Sequence, residues 1–167
     1  MSLPDENTLN ERDGRYLRKA IVWSHAAHRR GNRPFGAVVV SQAGEVLAEA
    51  YCNSAETGDC TGHAEINAIR MLGARRISRD ELARATLYSS AEPCVMCAGA
   101  IFSSAIGRVI YGIDAERLRV FRGERGEQRE PDLSCRDVFR TSRHKVECIG
   151  PALLDEASAA HIGAWKD

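Results

Sequence analysis

From Gly14 to Arg29 the residues Tyr16, Leu17, Ala20, Ile21, Ser24 and Ala27 recur at spacings of three and four, with Arg, Lys and His between them. That period predicts an amphipathic helix, which Gly31-Asn32-Arg33-Pro34 ends. Phe35–Val40 is a short β-branched run, Gln42-Ala43-Gly44 a turn and Val46–Cys52 a second run, so the two read as a β-hairpin. After a polar loop over Asn53–Thr61, the apolar positions Ala64, Ile66, Ala68, Ile69 and Leu72 predict a helix over His63–Leu72, with Thr61 as its cap. Thr86–Ser90 reads as a third strand. Glu92-Pro93 then opens a helix inside the uncharged stretch Pro93–Gly107, since proline suits a first helical turn. Arg108–Tyr111 is a fourth strand. Asp114–Arg143 reads as a surface excursion, Lys145–Ile149 as a last strand and Ala152–Trp165 as a terminal helix. This order predicts an α/β fold: a three-layer α/β/α sandwich around a mixed five-stranded sheet.

At 167 residues the chain is expected to be one domain, with no internal repeat or linker. Lys+Arg 23 against Asp+Glu 23 leaves zero net charge, which excludes a generally basic nucleic-acid-coating protein but not a local basic patch. The polar, acidic Met1–Asn10 lacks the basic-then-apolar order of a secretory signal. Pro93–Gly107 is shorter than the roughly 20 apolar residues that span a bilayer. A cytoplasmic protein with no membrane partner is therefore expected. Its six cysteines are Cys52, Cys60, Cys94, Cys97, Cys135 and Cys148. They are too sparse for a disulfide scaffold, and Cys94-Val95-Met96-Cys97 favours metal or redox chemistry. Cys52, Cys135 and Cys148 read as small buried residues.

Two segments concentrate the chemistry: Thr61-Gly62-His63-Ala64-Glu65 and Glu92-Pro93-Cys94-Val95-Met96-Cys97. Spaced by three, Cys94 and Cys97 share one face of a first helical turn, where the positive helix end favours thiolates. His63 with two thiolates makes three ligands of the softness that zinc prefers, and a fourth position left to water is the catalytic form of such a site. Two positions along an ideal helix turn a side chain by about 200°. His63 must therefore stand at a helix boundary if Glu65 is to face the same cavity, there as a general acid/base rather than a ligand.

The H-x-E…P-C-x-x-C arrangement is a general signature of zinc nucleobase deaminases. With Ile66, Leu87-Tyr88, Glu92 through Ala100 and Ile106-Gly107-Arg108-Val109, it makes residues 14–114 resemble the cytidine-deaminase superfamily. Within it, the chain is similar to the branch of guanine deaminase and bacterial tRNA adenosine deaminase; residues 115–167 form a C-terminal extension to that core. The resemblance implies a cytidine-deaminase-like fold, one Zn2+ per chain held by His63, Cys94 and Cys97, and Glu65 as catalytic residue. It also implies a homodimer and a substrate pocket made by Phe35 at the start of its strand, Asn53 donating to the base, the Ala64 N–H reading the base edge, and the Glu92 carbonyl accepting from the departing amine. Taken alone, Asn53 reads as an ordinary turn residue.

Three alternatives remain. Cys60 makes C-x-x-H…C-x-x-C, a ligand set for a closed Cys3His structural zinc module without activity. A redox C-x-x-C would leave His63 and Glu65 without a role. The substrate is expected to be a free nucleobase or nucleoside, guanine first and then cytosine or adenine, from the neutral charge and Pro34-Phe35-Gly36. Val95-Met96-Cys97-Ala98-Gly99-Ala100 instead resembles the enzymes that convert adenosine to inosine at the tRNA wobble position. Arg117, Arg119, Arg122, Arg125 and Arg129, interleaved with Glu116, Glu124, Glu127 and Glu130, read as a solvated face, a tRNA phosphate contact or a lid. His25, His28, His144 and His161 read as surface or helix-face histidines, and Trp23 and Trp165 as packing residues.

Overall fold

A computed structural model describes residues 9–123 and 133–165. The elements, in order, are α1 (Glu11–Arg29), β1 (Gly36–Val40), β2 (Val46–Tyr51), α2 (Ser54–Thr57), α3 (Ala64–Ala74), α4 (Arg79–Ala83), β3 (Thr86–Ala91), α5 (Val95–Ser104), β4 (Arg108–Ile113), α6 (Ala115–Arg122), α7 (Cys135–Arg140), β5 (Glu147–Ile149) and α8 (Leu154–Ala159). The sheet runs β2-β1-β3-β4-β5. β1 is antiparallel to β2 and β3, while β3, β4 and β5 are mutually parallel.

Strand alternation sends successive side chains to opposite faces, and each face meets its own layer of helices. Ala37, Val39, Leu87, Val109 and Tyr111 pack with Ala64, Ala68 and Leu72 of α3, Ala98 and Ile101 of α5 and Phe139 of α7. Val38, Val40, Tyr88, Ile110 and Ile113 pack with Leu17, Ala20 and Ile21 of α1, Leu118 of α6 and Ala157 of α8. The result is the expected α/β/α sandwich. Gly36 permits a close approach between α1 and the sheet: a Cβ there would lie 2.6 Å from Trp23 Cβ and would overlap the Ala20 carbonyl.

Several expectations are corrected. α1 starts three residues early because the Asn10 side chain accepts from Asp13 N and caps it. The residue capping α3 is His63, not Thr61, whose hydroxyl donates instead to Asp59 Oδ1 at 2.7 Å. The excursion after Asp114 is not purely surface: Leu118, Cys135 and Phe139 are buried. Of its charged residues, Glu124, Arg125, Glu127, Arg129 and Glu130 lie outside the described residues. The terminal helix is only Leu154–Ala159. His161, read as a surface or helix-face residue, is 1% exposed and stacks on Trp165 at 5.9 Å and 7°. Burial and the Arg122 charge push its pKa down to about 4. Among the described residues, no helix is long and apolar enough to cross a membrane.

One buried ion pair locks α1 to the sheet. Asp13 takes two hydrogen bonds from Arg108 at 2.9 and 2.8 Å and one from Tyr88 at 2.6 Å. Burial raises its pKa, but the bonds from Arg108 and Tyr88, with the Arg108 and Arg12 charges, outweigh burial and hold it below 3.8. A lowered carboxylate pKa adds stability that is present above the unfolded value and is lost as pH falls through the folded one. Asp13→Asn is expected to cost roughly 2 kcal/mol at neutral pH, between the values for exposed and buried pairs. In thermal melts, the gap to the unmodified protein should close as the pH is lowered below about 4.

Candidate active site

The sequence aims three candidate ligands at one point by putting two of them at helix starts. His63 is the N-cap of α3 with extended backbone (φ −74°, ψ 153°), and Cys94 is the N-cap of α5 (φ −66°, ψ 171°). Cys97 lies in the first turn of α5 and is fully buried. The extended backbone at His63 removes the helical offset from Glu65, so both side chains reach the same cavity. His63 Nδ1 stands 3.6 Å from Cys94 Sγ and 3.5 Å from Cys97 Sγ. All three ligand atoms lie within 4.8 Å of one another.

This set fits zinc. Ligands about 2.0–2.3 Å from a tetrahedral zinc stand roughly 3.5 Å from each other, which is the separation that Nδ1 keeps from both sulfurs. The thiols are already polarised. The hydrogen bond from Cys97, opposed by burial and helped by His63, holds Cys94 down to about 4. Its bond to Cys94, burial and the Glu65 carboxylate push Cys97 up. Cys60 is exposed and is not part of the cluster, so nothing in the geometry assembles a Cys3His site.

Glu65 is buried at the rim of the cluster. Ser89 Oγ donates to Oε1 at 3.0 Å, and Cys97 Sγ donates to Oε2 at 3.5 Å. Burial first, and the Cys94 charge second, raise its pKa. Ser89 had no signal in the sequence: it is a polar residue inside a strand with no motif around it.

Ala64 opens α3, where backbone N–H groups have no intrahelical acceptor. Asn53 is half-buried, and its N–H donates to the Gly62 carbonyl at 2.9 Å, so it lies against the residue before His63. Phe35 sits among aromatic rings, 5.5 Å from His161 and 6.0 Å from Trp165, with Arg122 over its face at 5.9 Å. Trp23 stacks on Tyr51 at 5.9 Å. The Glu92 side chain has a structural task that the sequence did not show. Oε1 accepts from Ser134 Oγ at 2.6 Å and Oε2 from Ala115 N at 2.9 Å, tying α6 and the start of α7 to the loop before Cys94.

The family profile "Cytidine and deoxycytidylate deaminase zinc-binding region" matches residues 10–113, which hold His63, Glu65, Cys94 and Cys97. The chain belongs to the cytidine and deoxycytidylate deaminase family. Members of this deaminase family are hydrolytic enzymes acting on C–N bonds, and the matched domain is their zinc-binding one. The chain is 39% identical over 157 residues to the "Probable cytosine deaminase" of Schizosaccharomyces pombe, covering 94% of each. It is 41% identical over 103 residues to the tRNA-specific adenosine deaminase of Haemophilus influenzae, covering 62% of this chain and 59% of that one. Among solved structures, one from a study of tRNA:A34 deaminases superposes with a TM-score of 0.70 at 31% identity, covering 88% of this chain and 99% of that one. The guanine deaminase of Nitrosomonas europaea superposes at 0.76 and 20% identity, covering 98% of this chain and 93% of that one, and so shares the fold.

Proposed function

We propose that this deaminase-family chain hydrolyses the exocyclic amine of a free nucleobase to a carbonyl, with release of ammonia. The observation that carries this is a buried carboxylate, Glu65, held by Ser89 beside a His63–Cys94–Cys97 cluster of zinc-binding dimensions. Zinc, when bound, supplies Lewis acidity that brings the deprotonation of water near neutral pH. Glu65 takes the proton of the attacking water at Oε2 and delivers it to the amine nitrogen, so ring C–NH2 plus water becomes ring C=O plus ammonia. Ser89 fixes the carboxyl plane through Oε1 and leaves Oε2 toward the cluster. Asn53 and the Ala64 N–H donate to the base, the Glu92 carbonyl accepts from the leaving amine, and Phe35 closes one wall. The exposed Met71 on α3 and Phe102 on α5 offer an apolar surface for a homodimer.

Zero net charge and the end-to-end likeness to the S. pombe protein support a free base, and the latter moves cytosine ahead of guanine and adenine. The 31% identity to a tRNA:A34 deaminase structure favours a second reading, adenosine-to-inosine conversion at a tRNA wobble position. Ammonia release from cytosine, guanine, adenine, their nucleosides and an adenosine-34 stem-loop separates the two. Turnover of a free base is the expected result, and turnover of the stem-loop alone would overturn it.

A further inference from the structure

We infer that Asn67, one helical turn beyond His63 on α3, is a positioning residue that decides which end of the Asn53 amide faces the substrate. The inference rests on the reading that Asn53 contacts the base.

An asparagine amide offers donors at one end and an acceptor at the other, and its neighbours decide the orientation. Asn67 Nδ2 lies 3.0 Å from the Tyr51 carbonyl oxygen, 3.4 Å from the Gly62 carbonyl oxygen and 2.9 Å from Asn53 Oδ1. The two carbonyls can only accept, so the nitrogen of Asn67 must face all three atoms. Asn53 must then turn its oxygen to Asn67. That leaves Asn53 Nδ2 as the end available to a ligand, and it has no hydrogen-bond partner among the described residues.

Asn67 is itself held in place. Its Oδ1 accepts from Arg70 Nη1 at 3.3 Å, and Arg70 Nη2 donates to Thr61 Oγ1 at 2.8 Å. The Thr61 hydroxyl donates in turn to Asp59 Oδ1, so the network closes on the loop that carries Asn53. Gly62 completes the seat from the other side. A Cβ at position 62 would lie 2.5 Å from Asn53 Oδ1, closer than side-chain carbons come to oxygen. A donor at 67 and a bare α-carbon at 62 together lock the Asn53 oxygen inward. The site thereby selects a base that presents an acceptor, a carbonyl oxygen or an unprotonated ring nitrogen, toward Asn53.

The test is a double-mutant cycle in the zinc-loaded protein, read as kcat/KM on the most rapidly deaminated of cytosine, guanine and adenine. Asn53→Ala and Asn67→Ala are each expected to lower kcat/KM by about 10–100-fold, the cost of an unmade hydrogen bond to the base at a half-buried site, with zinc content unchanged. In the Asn53→Ala background, Asn67→Ala should cost nothing further, an interaction that a purely structural role would not produce. Gly62→Ala provides a second arm that leaves Asn67 in place: its cost should shrink once Asn53 is alanine, because the 2.5 Å contact with Oδ1 is then gone and only the 3.1 Å approach to the Asp59 carbonyl and the 3.3 Å approach to Ser54 N remain. Losses that multiply in both arms would overturn the positioning role alone. An Asn53→Ala variant with unmodified kcat/KM would overturn the base contact and, with it, this inference.

Discussion

Glu65→Gln is expected to keep one zinc per chain and to lose turnover by about 10²–10⁴-fold, the contribution of a positioned general acid/base. The amide keeps the shape of the carboxyl and can still accept from Ser89, so the seat survives. What it loses is the capacity to take a proton from water and return it to the amine. Because Glu65 is not among the three atoms of the cluster, metal content should be unaffected. The paired readouts are zinc by elemental analysis and ammonia release. Near-unmodified kcat with zinc in place would remove Glu65 from the chemistry.

The second large effect separates Cys97, inside the cluster, from Cys60, outside it. Cys97→Ser should lose zinc, and with it all measurable turnover, because a buried ligand on the first turn of α5 is replaced by a weak alcohol donor. Cys60→Ser should keep both, since Cys60 is exposed and outside the cluster. Zinc loss in Cys60→Ser would revive the structural Cys3His module, and retention of zinc and rate in Cys97→Ser would dismantle the proposed ligand set.

What could be read in the chain follows the range of the forces involved. The strands were legible because runs such as Ala37-Val38-Val39-Val40 are short, apolar and β-branched, a local signal, and the C-x-x-C pair because three positions set one helix turn. The boundary placement of His63 was legible too, since only an extended residue there reconciles His63 with Glu65. The short helices α2 and α4 carry too few turns to show a period, and α4 announces itself only through Ser78 as a cap. His161 was misjudged because its burial comes from Phe35, Phe121 and Trp165, which lie elsewhere in the chain or four residues on. Ser89 and Asn67 were invisible for a related reason: each is a polar residue within an otherwise regular element, given meaning only by a partner brought across the sheet or around a loop.

The central claim is that His63, Cys94 and Cys97 hold one zinc with a further position open to water. X-ray absorption at the zinc edge of the purified protein tests it directly. Two sulfur ligands, one imidazole and one additional light-atom ligand are the predicted result, and three sulfurs with no water ligand would contradict it.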